Sequence, residues 1–139
     1  MQKTIIEIVD NLNVDGVYKE LTDPKSGGIC VFVGTVRDFT NNEEVVSLEF
    51  ETYKAMALKE MQKIVDQAMV KWNLNKVVMR HAVGVKEVEE PVVIIGVSSG
   101  HRDACFAACR FMIDTLKETV PIWKKEVFKN KTVWVSAHP

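Results

Sequence analysis

The feature that most constrains the fold is a run of six apolar, mostly β-branched residues, Val92–Val97, followed within a few positions by a helical pattern. Such a short run, bounded by polar residues, predicts a buried strand. The strand is expected to end at Ser98-Ser99-Gly100. Asp103 is expected to cap the helix that follows, and Pro121 is expected to end it. This strand and helix form the centre of the predicted fold.

Basic residues lie at both ends of this predicted helix. His101-Arg102 precede it, where free backbone N–H groups and the helix dipole favour an anion. Lys117 lies in the last turn, and Lys124 follows the segment Pro121-Ile122-Trp123. Apolar neighbours lower the pKa of a lysine and make it usable as a base or nucleophile. The alternative for Lys117 is an ordinary cation that complements a helix C-terminus.

The rest of the chain predicts an α+β fold, with all 139 residues in one domain. Adjacent strands joined by short turns favour a mainly antiparallel sheet, and two long helices are expected to cover one of its faces. The other predicted elements are strands at Thr4–Val9, Ile29–Val36, Val45–Glu51, Leu74–Val83 and Thr132–Val135, a brief helix capped at Asn13-Val14-Asp15 and ending at Leu21, a polar loop at Asp38–Glu44, a long helix at Lys54–Trp72, and an acidic turn at Val85–Glu90.

The strand Ile29–Val36 carries two further signals. Gly34 interrupts it, and a glycine inside a strand often marks a bulge or a close approach of another group. Arg37 follows directly at its end. An arginine there is consistent with a loop charge and with a phosphate ligand held on a rigid strand.

Charge and composition narrow the classes of partner. The net charge of −1 gives no support for general nucleic-acid binding. Residues Gly100 to Lys131 include seven Lys/Arg and four Asp/Glu, so the C-terminal third of the chain is basic. This distribution favours a small anionic ligand, and the alternative is a solvated helix face with ordinary charge scatter.

The compartment is predicted from the N-terminus and the cysteines. The first residues lack the basic start and long apolar run of a signal peptide, and no apolar run reaches the roughly 18 residues of a membrane span. Three cysteines without paired spacing argue for a reducing compartment. We therefore expect a cytoplasmic protein with no membrane contact.

The residues that commonly carry metals or covalent chemistry give weak signals. Cys105 and Cys109 lie four apart on one predicted helix, but no further ligand is marked, so these thiols and Cys30 are interpreted as core residues. His81 is consistent with a ligand or base, although a lone strand histidine is more often structural. No Ser-His-Asp arrangement is evident. We expect no metal and no cofactor.

Several motifs, in order and spacing, resemble the large, catalytic subunit of molybdopterin synthase. The resemblance covers nearly the whole chain, from about Gly28 to Val135. Each motif is short, so the specificity lies in their combination. They are Val33-Gly34-Thr35-Val36-Arg37, Leu48-Glu49-Phe50-Glu51-Thr52-Tyr53, Ser99-Gly100-His101-Arg102, Leu116-Lys117, Pro121-Ile122-Trp123-Lys124-Lys125-Glu126 and Trp134-Val135.

The resemblance implies a fold, a reaction and partners. The family has an α/β hammerhead fold, and a central homodimer carries two copies of a small ubiquitin-like sulfur-carrier subunit, which makes a heterotetramer. The C-terminal glycine thiocarboxylate of the small subunit enters a pocket of the large one. Two sulfurs pass to cyclic pyranopterin monophosphate and form the dithiolene of molybdopterin.

The resemblance also implies roles for individual residues. Lys117 and Lys124 match the catalytic lysines of the family, which also bind substrate. Arg37, His101 and Arg102 match its anion-binding residues and are expected to hold the substrate phosphate. The attacking sulfur arrives on the partner, so no cysteine of this chain is required.

Two departures from the family pattern concern charge. Many relatives have an arginine after the histidine that corresponds to His81, and this chain has Ala82. Near the C-terminus, where the family often has another arginine, this chain has His138, which we include among the substrate-binding residues. The phosphate pocket is therefore expected to have one fewer permanent charge and to be more sensitive to pH.

Helix geometry predicts a site that is shared between subunits. Arg102 and Lys117 are fifteen residues apart, which is roughly 22 Å along a straight helix. One small substrate cannot contact both within one subunit, so we expect His101 and Arg102 to come from the second subunit. The alternative functions are a non-catalytic dimeric scaffold that binds a ubiquitin-like partner, and an acyl- or phosphoryl-transfer enzyme.

Overall fold

The computed structural model describes residues 3–136, and within that range the chain forms nine strands and three helices. None of these helices is long and apolar enough to cross a membrane. In chain order the elements are β1 (Thr4–Val9), α1 (Val17–Leu21), β2 (Gly28–Thr35), β3 (Phe39–Thr40), β4 (Glu43–Thr52), α2 (Lys54–Lys71), β5 (Leu74–Ala82), β6 (Gly84–Glu87), β7 (Pro91–Ser99), α3 (Arg102–Thr119), β8 (Ile122–Phe128) and β9 (Thr132–Ser136).

The first sheet has the strand order β1-β5-β7-β2. Strand β7 contains the apolar run of the sequence, and every residue after Pro91 in this strand is buried, as predicted. It pairs antiparallel with β2 and β5, while β1 pairs parallel with β5. The expectation of mainly antiparallel pairing is therefore confirmed, with one parallel pair at the edge.

The two long helices cover one face of this sheet, as predicted. Alternate residues of the central strands face them, so that Val77 of β5 and Ile95 of β7 pack with buried residues of α2 and α3. The neighbouring positions Val78 and Ile94 face the other side, where Leu21 of α1 covers them. This alternation is the period of two that a strand imposes.

The second sheet is antiparallel and is built around β4. Its strands follow the order β3-β4-β8-β9, and β6 also pairs with β4. Three of these strands were not predicted. The sequence pattern predicts a loop where β3 lies, an acidic turn where β6 lies, and no element where β8 lies. Each forms because β4 offers it backbone hydrogen bonds, which local sequence does not reveal.

Two predicted helix caps are wrong. The N-cap of α3 is His101, not Asp103, which lies in the first turn, where an acidic residue complements the helix dipole. The N-cap of α1 is Gly16. Asn13 instead accepts a hydrogen bond at Oδ1 from the backbone N–H of Asp15, 2.9 Å away, in a turn before the helix.

The interruption of β2 by Gly34 is confirmed as a close approach. A Cβ at this position would lie 2.5 Å from Cγ1 of Val93 on the paired strand. The register of the pairing also shifts between Gly34 and Thr35, as at a bulge. Beyond the shift, β2 ends at Thr35, and Arg37 follows two residues later.

Candidate active site

A cavity of about 170 Å³ lies where the two sheets and the end of α3 meet. Its apolar wall includes Phe50 of β4, Val93 of β7, Leu116 of α3 and Ile122 of β8. Three of the sequence-predicted site residues, Arg37, Lys117 and Lys124, also line it. These cations come from three separate segments of the chain.

Lys117 reaches the cavity from the last turn of α3. The preceding Leu116 is buried in the core, and the helix ends at Thr119, so the position of the lysine is set by a packed helix end. As a whole residue Lys117 is exposed. Partial burial of Lys117 by the Pro-Ile-Trp segment is therefore not found for the residue as a whole, although Ile122 lines the same cavity.

Lys124 reaches the cavity from β8, where it pairs with Phe50. Because side chains alternate along a strand, it shares a face with Ile122, which is buried and also lines the cavity. Trp123 lies on the opposite face and is exposed. The expected Pro-Ile-Trp wall is therefore reduced to Ile122, with the rest of the wall coming from other elements.

Lys125 lies on the face of β8 opposite to Lys124, and its side chain has partners that Lys124 lacks within residues 3–136. Lys125 Nζ lies 3.1 Å from Glu49 Oε1 and 5.0 Å from the ring centroid of Trp134. Its charge is therefore satisfied by residues of the same sheet. Lys124 has no ion pair or hydrogen-bond partner for its side chain among residues 3–136, so its charge remains available to a ligand.

Arg37 stands on the cavity rim just after β2. The backbone of the preceding Val36 is fixed by two hydrogen bonds, from its N–H to Glu90 O at 3.1 Å and from Glu89 N–H to its O at 2.8 Å. Its guanidinium, like the Lys124 ammonium, has no side-chain partner within the described part of the chain. A cation on a fixed backbone suits a phosphate ligand, the second of the two alternatives for this residue.

Sequence reasoning missed Glu126 and Thr40 as cavity residues. Glu126 is buried on the same face of β8 as Lys124, and its Oε2 accepts a hydrogen bond from Thr40 Oγ1 at 2.7 Å. The period-two spacing of Lys124 and Glu126 was the available signal, but it becomes informative only once β8 is known to be a strand. This bond also ties the β3–β4 hairpin to the cavity.

His81 is a further cavity residue, and it is almost fully buried. Its Nδ1 lies 2.7 Å from the backbone oxygen of Ala82, and its ring meets Phe50 edge-on at a centroid distance of 5.2 Å. Burial lowers the pKa of His81 to about 4, although the bond to Ala82 opposes the shift, and the nearby charge of Lys117 lowers the pKa further. The imidazole is therefore neutral at pH 7.

His101 and Arg102 lie at the opposite end of α3 and do not line the cavity. Both are exposed. The helix is continuous from Arg102 to Thr119, so the roughly 22 Å between Arg102 and Lys117 is not shortened by a break. His138 lies outside the described residues.

The three thiols are free, and two are in the core. Cys105 and Cys109 are buried, as the helical spacing indicated, and Cys30 is partly buried against them. Burial, together with the neighbouring Cys30, raises the pKa of Cys109 to about 12, so it stays a thiol. Within residues 3–136, no group of three or more His, Cys, Asp or Glu side chains is placed to hold a metal ion.

Charge balance defines what the cavity can do. Three cations, Arg37, Lys117 and Lys124, face one carboxylate, Glu126, in a space with apolar walls. Apolar walls strengthen electrostatic interactions by excluding water. The arrangement therefore suits an anionic substrate, and fixed cations can stabilise negative charge that develops during a reaction.

Comparison with known proteins gives one consistent family. The family model described as "MoaE protein" matches residues 8–119. The chain is 41% identical over 125 residues to the molybdopterin synthase catalytic subunit of Homo sapiens, covering 90% of this chain and 66% of that protein. It is 37% identical over 131 residues to the protein of that name from Thermoplasma volcanium, covering 94% and 96%. It spans only 36% of the similar Drosophila grimshawi protein.

Solved structures with related names have a similar fold. Molybdopterin synthase from Staphylococcus aureus superposes with a TM-score of 0.88 at 30% identity, covering 97% of this chain and 98% of that one. The likeness confirms the hammerhead-type α+β fold. A complex of subunits 1 and 2 of the molybdopterin-converting factor from Helicobacter pylori has the same fold, with a TM-score of 0.72 at 21% identity and coverage of 94% and 89%.

Proposed function

The chain belongs to the MoaE protein family, and on that basis we propose that it is the catalytic subunit of a molybdopterin synthase. It takes sulfur from the C-terminal thiocarboxylate of a small ubiquitin-like subunit and transfers it to cyclic pyranopterin monophosphate, which forms the dithiolene of molybdopterin. The chain also covers 96% of the Thermoplasma volcanium protein named molybdopterin synthase catalytic subunit, which supports this proposal.

The observation that carries this proposal is the meeting of Arg37, Lys117 and Lys124 at one cavity. The two reactants, a cyclic phosphate and a thiocarboxylate, are both anions. A cavity with an excess of fixed positive charge attracts and orients both of them. The cavity needs no nucleophile of its own, because the attacking sulfur belongs to the partner.

Each sulfur transfer makes and breaks bonds in two stages. The thiocarboxylate sulfur forms a bond to a side-chain carbon of the pterin as a carbon–oxygen bond of the pterin breaks, and the departing oxygen takes a proton. Water then adds to the glycine carbonyl of the thioester, and the acyl carbon–sulfur bond breaks. The sulfur stays on the pterin, the small subunit leaves as a carboxylate, and a second thiocarboxylate repeats the exchange at the neighbouring carbon.

The cavity cations have separate tasks in this scheme. Lys117 contacts the thiocarboxylate and stabilises the oxyanion of the tetrahedral adduct. Lys124 supplies the proton that the departing oxygen takes. Arg37 binds the phosphate through charge-assisted hydrogen bonds and fixes the pterin.

We propose further that two copies of the chain share each site. His101 and Arg102 of one copy complete the phosphate-binding charge at the cavity of the other, because the length of α3 keeps them from the cavity of their own chain. The edge of the first sheet supports association. Within residues 3–136, β2 is the terminal strand of its sheet, and its Val31, Phe32 and Val33 are each 38% or more exposed. An apolar unpaired edge favours pairing with another chain.

The assembly that follows is a heterotetramer, with a homodimer of this chain at its centre and a small subunit at each end. We place it in the cytoplasm, where thiols stay reduced, because all three cysteines are unpaired. His138 is proposed to contribute to phosphate binding.

Reconstitution tests the proposed function. This protein is mixed with a thiocarboxylated small subunit and cyclic pyranopterin monophosphate, and dithiolene-pterin formation is measured beside a Lys117→Ala variant. We expect product from the wild type and a loss of roughly 100-fold or more in the variant, the typical effect of removing a group that stabilises an oxyanion. If the small subunit binds and no product forms, the chain is a scaffold and the enzyme proposal is wrong.

A further inference from the structure

His81 is a buried residue of the cavity wall that the proposed steps do not use. Its exposed fraction is 6%, and it lies one residue before the end of β5. A histidine in a purely apolar core would have no polar side chains beside it. This one lines the same cavity as Lys117 and Lys124. Its position therefore gives it access to the groups that act on the substrate.

The hydrogen bond of His81 to the backbone fixes its tautomer. A backbone oxygen only accepts, so Nδ1, 2.7 Å from Ala82 O, must carry the proton and donate. In a neutral imidazole the second nitrogen, Nε2, is then an acceptor. Nε2 has no hydrogen-bond partner among residues 3–136. Within the described residues, His81 Nε2 is thus an uncharged acceptor at the cavity wall that has no hydrogen-bond partner.

Lys117 lines the same cavity as His81. Its charge acts on His81 directly and adds to the effect of burial on the imidazole. The other charged groups that line the cavity are Arg37 after β2, and Lys124 and Glu126 on β8. Glu126 accepts a hydrogen bond from Thr40. The cavity therefore offers a neutral acceptor at His81 and a carboxylate at Glu126.

We propose that His81 is a positioning residue for Lys117: its Nε2 accepts a hydrogen bond from the lysine ammonium and holds it against the thiocarboxylate of the bound small subunit. This inference rests on the proposed function. A carboxylate in the place of His81 would also hold the lysine, but it would neutralise the charge that the substrate needs. A neutral acceptor orients the ammonium and leaves its charge free for the anion.

The neutral form of His81 is essential to this role. Nε2 accepts a hydrogen bond only while it is unprotonated, and an imidazolium beside Lys117 would repel it. Burial provides the condition, because it keeps the ring uncharged well below neutral pH. The edge contact with Phe50 fixes the ring plane, and the bond to Ala82 fixes the ring flip.

Single-turnover kinetics with the thiocarboxylated small subunit test the proposal through two variants. His81→Phe keeps a ring against Phe50 and removes the acceptor, while His81→Gln keeps an uncharged acceptor of similar reach. We expect the sulfur-transfer rate of His81→Phe to fall roughly 10- to 100-fold, the usual effect of losing a hydrogen bond to a charged group. We expect His81→Gln to keep most of the rate, and both variants to bind the small subunit as the wild type does.

A pH profile separates positioning from a merely structural role. As pH falls toward the His81 pKa of about 4, the wild type loses its acceptor and His81→Gln does not. The ratio of the His81→Gln rate to the wild-type rate should therefore rise at acid pH, because titrations of the substrate and of the other cavity groups affect both proteins.

The outcomes distinguish this inference from the proposed function. If the wild type makes product and His81→Phe is equally fast, or if both variants lose the same rate at every pH, His81 does not position Lys117 and only this inference is wrong. If the wild type itself makes no product, the proposed function fails first. Thermal denaturation and small-subunit binding show that each variant is folded, so a slow rate is not a folding defect.

Discussion

The two ends of α3 carry basic residues in opposite surroundings. At the C-terminal end, Lys117 joins a cavity with apolar walls and other cations. At the N-terminal end, His101 and Arg102 are exposed and lie outside that cavity. One end of the helix therefore lines a cavity that suits an anion, while the basic side chains at the other end are exposed to solvent. Basic residues at opposite ends of a long helix can bind the same ligand only when another part of the assembly spans the length of the helix. We propose that a second copy of the chain does so.

The largest expected effect is the loss of turnover rate when a cation is removed from the cavity. Lys124 and Lys125 are neighbours on β8, but only Lys124 lines the cavity, while Lys125 is paired with Glu49. We expect Lys124→Ala to lower the turnover rate roughly 100- to 1,000-fold, because a fixed cation at the reacting groups is lost. Lys125→Ala is the matched control and should change the rate by less than about threefold. The reconstituted sulfur-transfer assay measures both, and equal losses would contradict the assignment of Lys124.

A smaller effect tests whether the exposed end serves a second subunit. Lys117→Ala and Arg102→Ala proteins, each inactive alone, are mixed under conditions that exchange subunits. If sites are shared, half of the dimers are mixed and each has one intact site, so activity should recover to about a quarter of the wild-type value. If each site lies within one chain, no intact site forms and no activity returns.

The control for that experiment is an arginine on the same helix without a proposed role. Arg110 is exposed on α3 and lies 3.6 Å from Asp114 in a surface ion pair. An Arg110→Ala protein should keep nearly full activity alone, since exposed pairs of this kind contribute little. A loss equal to that of Arg102→Ala would indicate a general effect on α3 and would remove the evidence for sharing.

The smallest effect concerns the free energy of unfolding. It compares the buried His81 at the cavity with the exposed His101 at the N-terminal end of α3. His81 binds a proton more weakly when folded, at a pKa of about 4, than when unfolded, at the ordinary value of 6.5. The unfolded state therefore takes up more protons between these values, and stability falls as pH drops from 6.5 to 4, by about 3 kcal/mol from this residue.

Urea denaturation as a function of pH measures this contribution. His81→Gln has no titrating group at the buried position, so its stability should depend less on pH across the same window. His101→Gln removes an exposed histidine, leaves His81 in place and is the matched control. If His81→Gln keeps the full wild-type slope, His81 is not the group that couples folding to pH.

The sequence predicted the elements whose signal is local. The buried strand at Val92–Val97, the two long helices and the alternating strand at β4 were recognised because hydrophobic periodicity reports which face of a segment is buried. The strands β3, β6 and β8 were missed because their short or charged segments become strands only through pairing with β4.

For the candidate site too, some features could be predicted from the sequence and others depended on the tertiary structure. The sequence marked Arg37, Lys117 and Lys124 by residue type, position and family resemblance, all of which can be read along the chain. Their meeting in one cavity, and the presence there of His81 and Glu126, were decided by tertiary structure. The physical reason is that β8 alternates its faces and α3 is rigid. The fold alone therefore decides that Lys124 faces the cavity while Trp123 does not, and that Lys117 reaches it while Arg102 cannot.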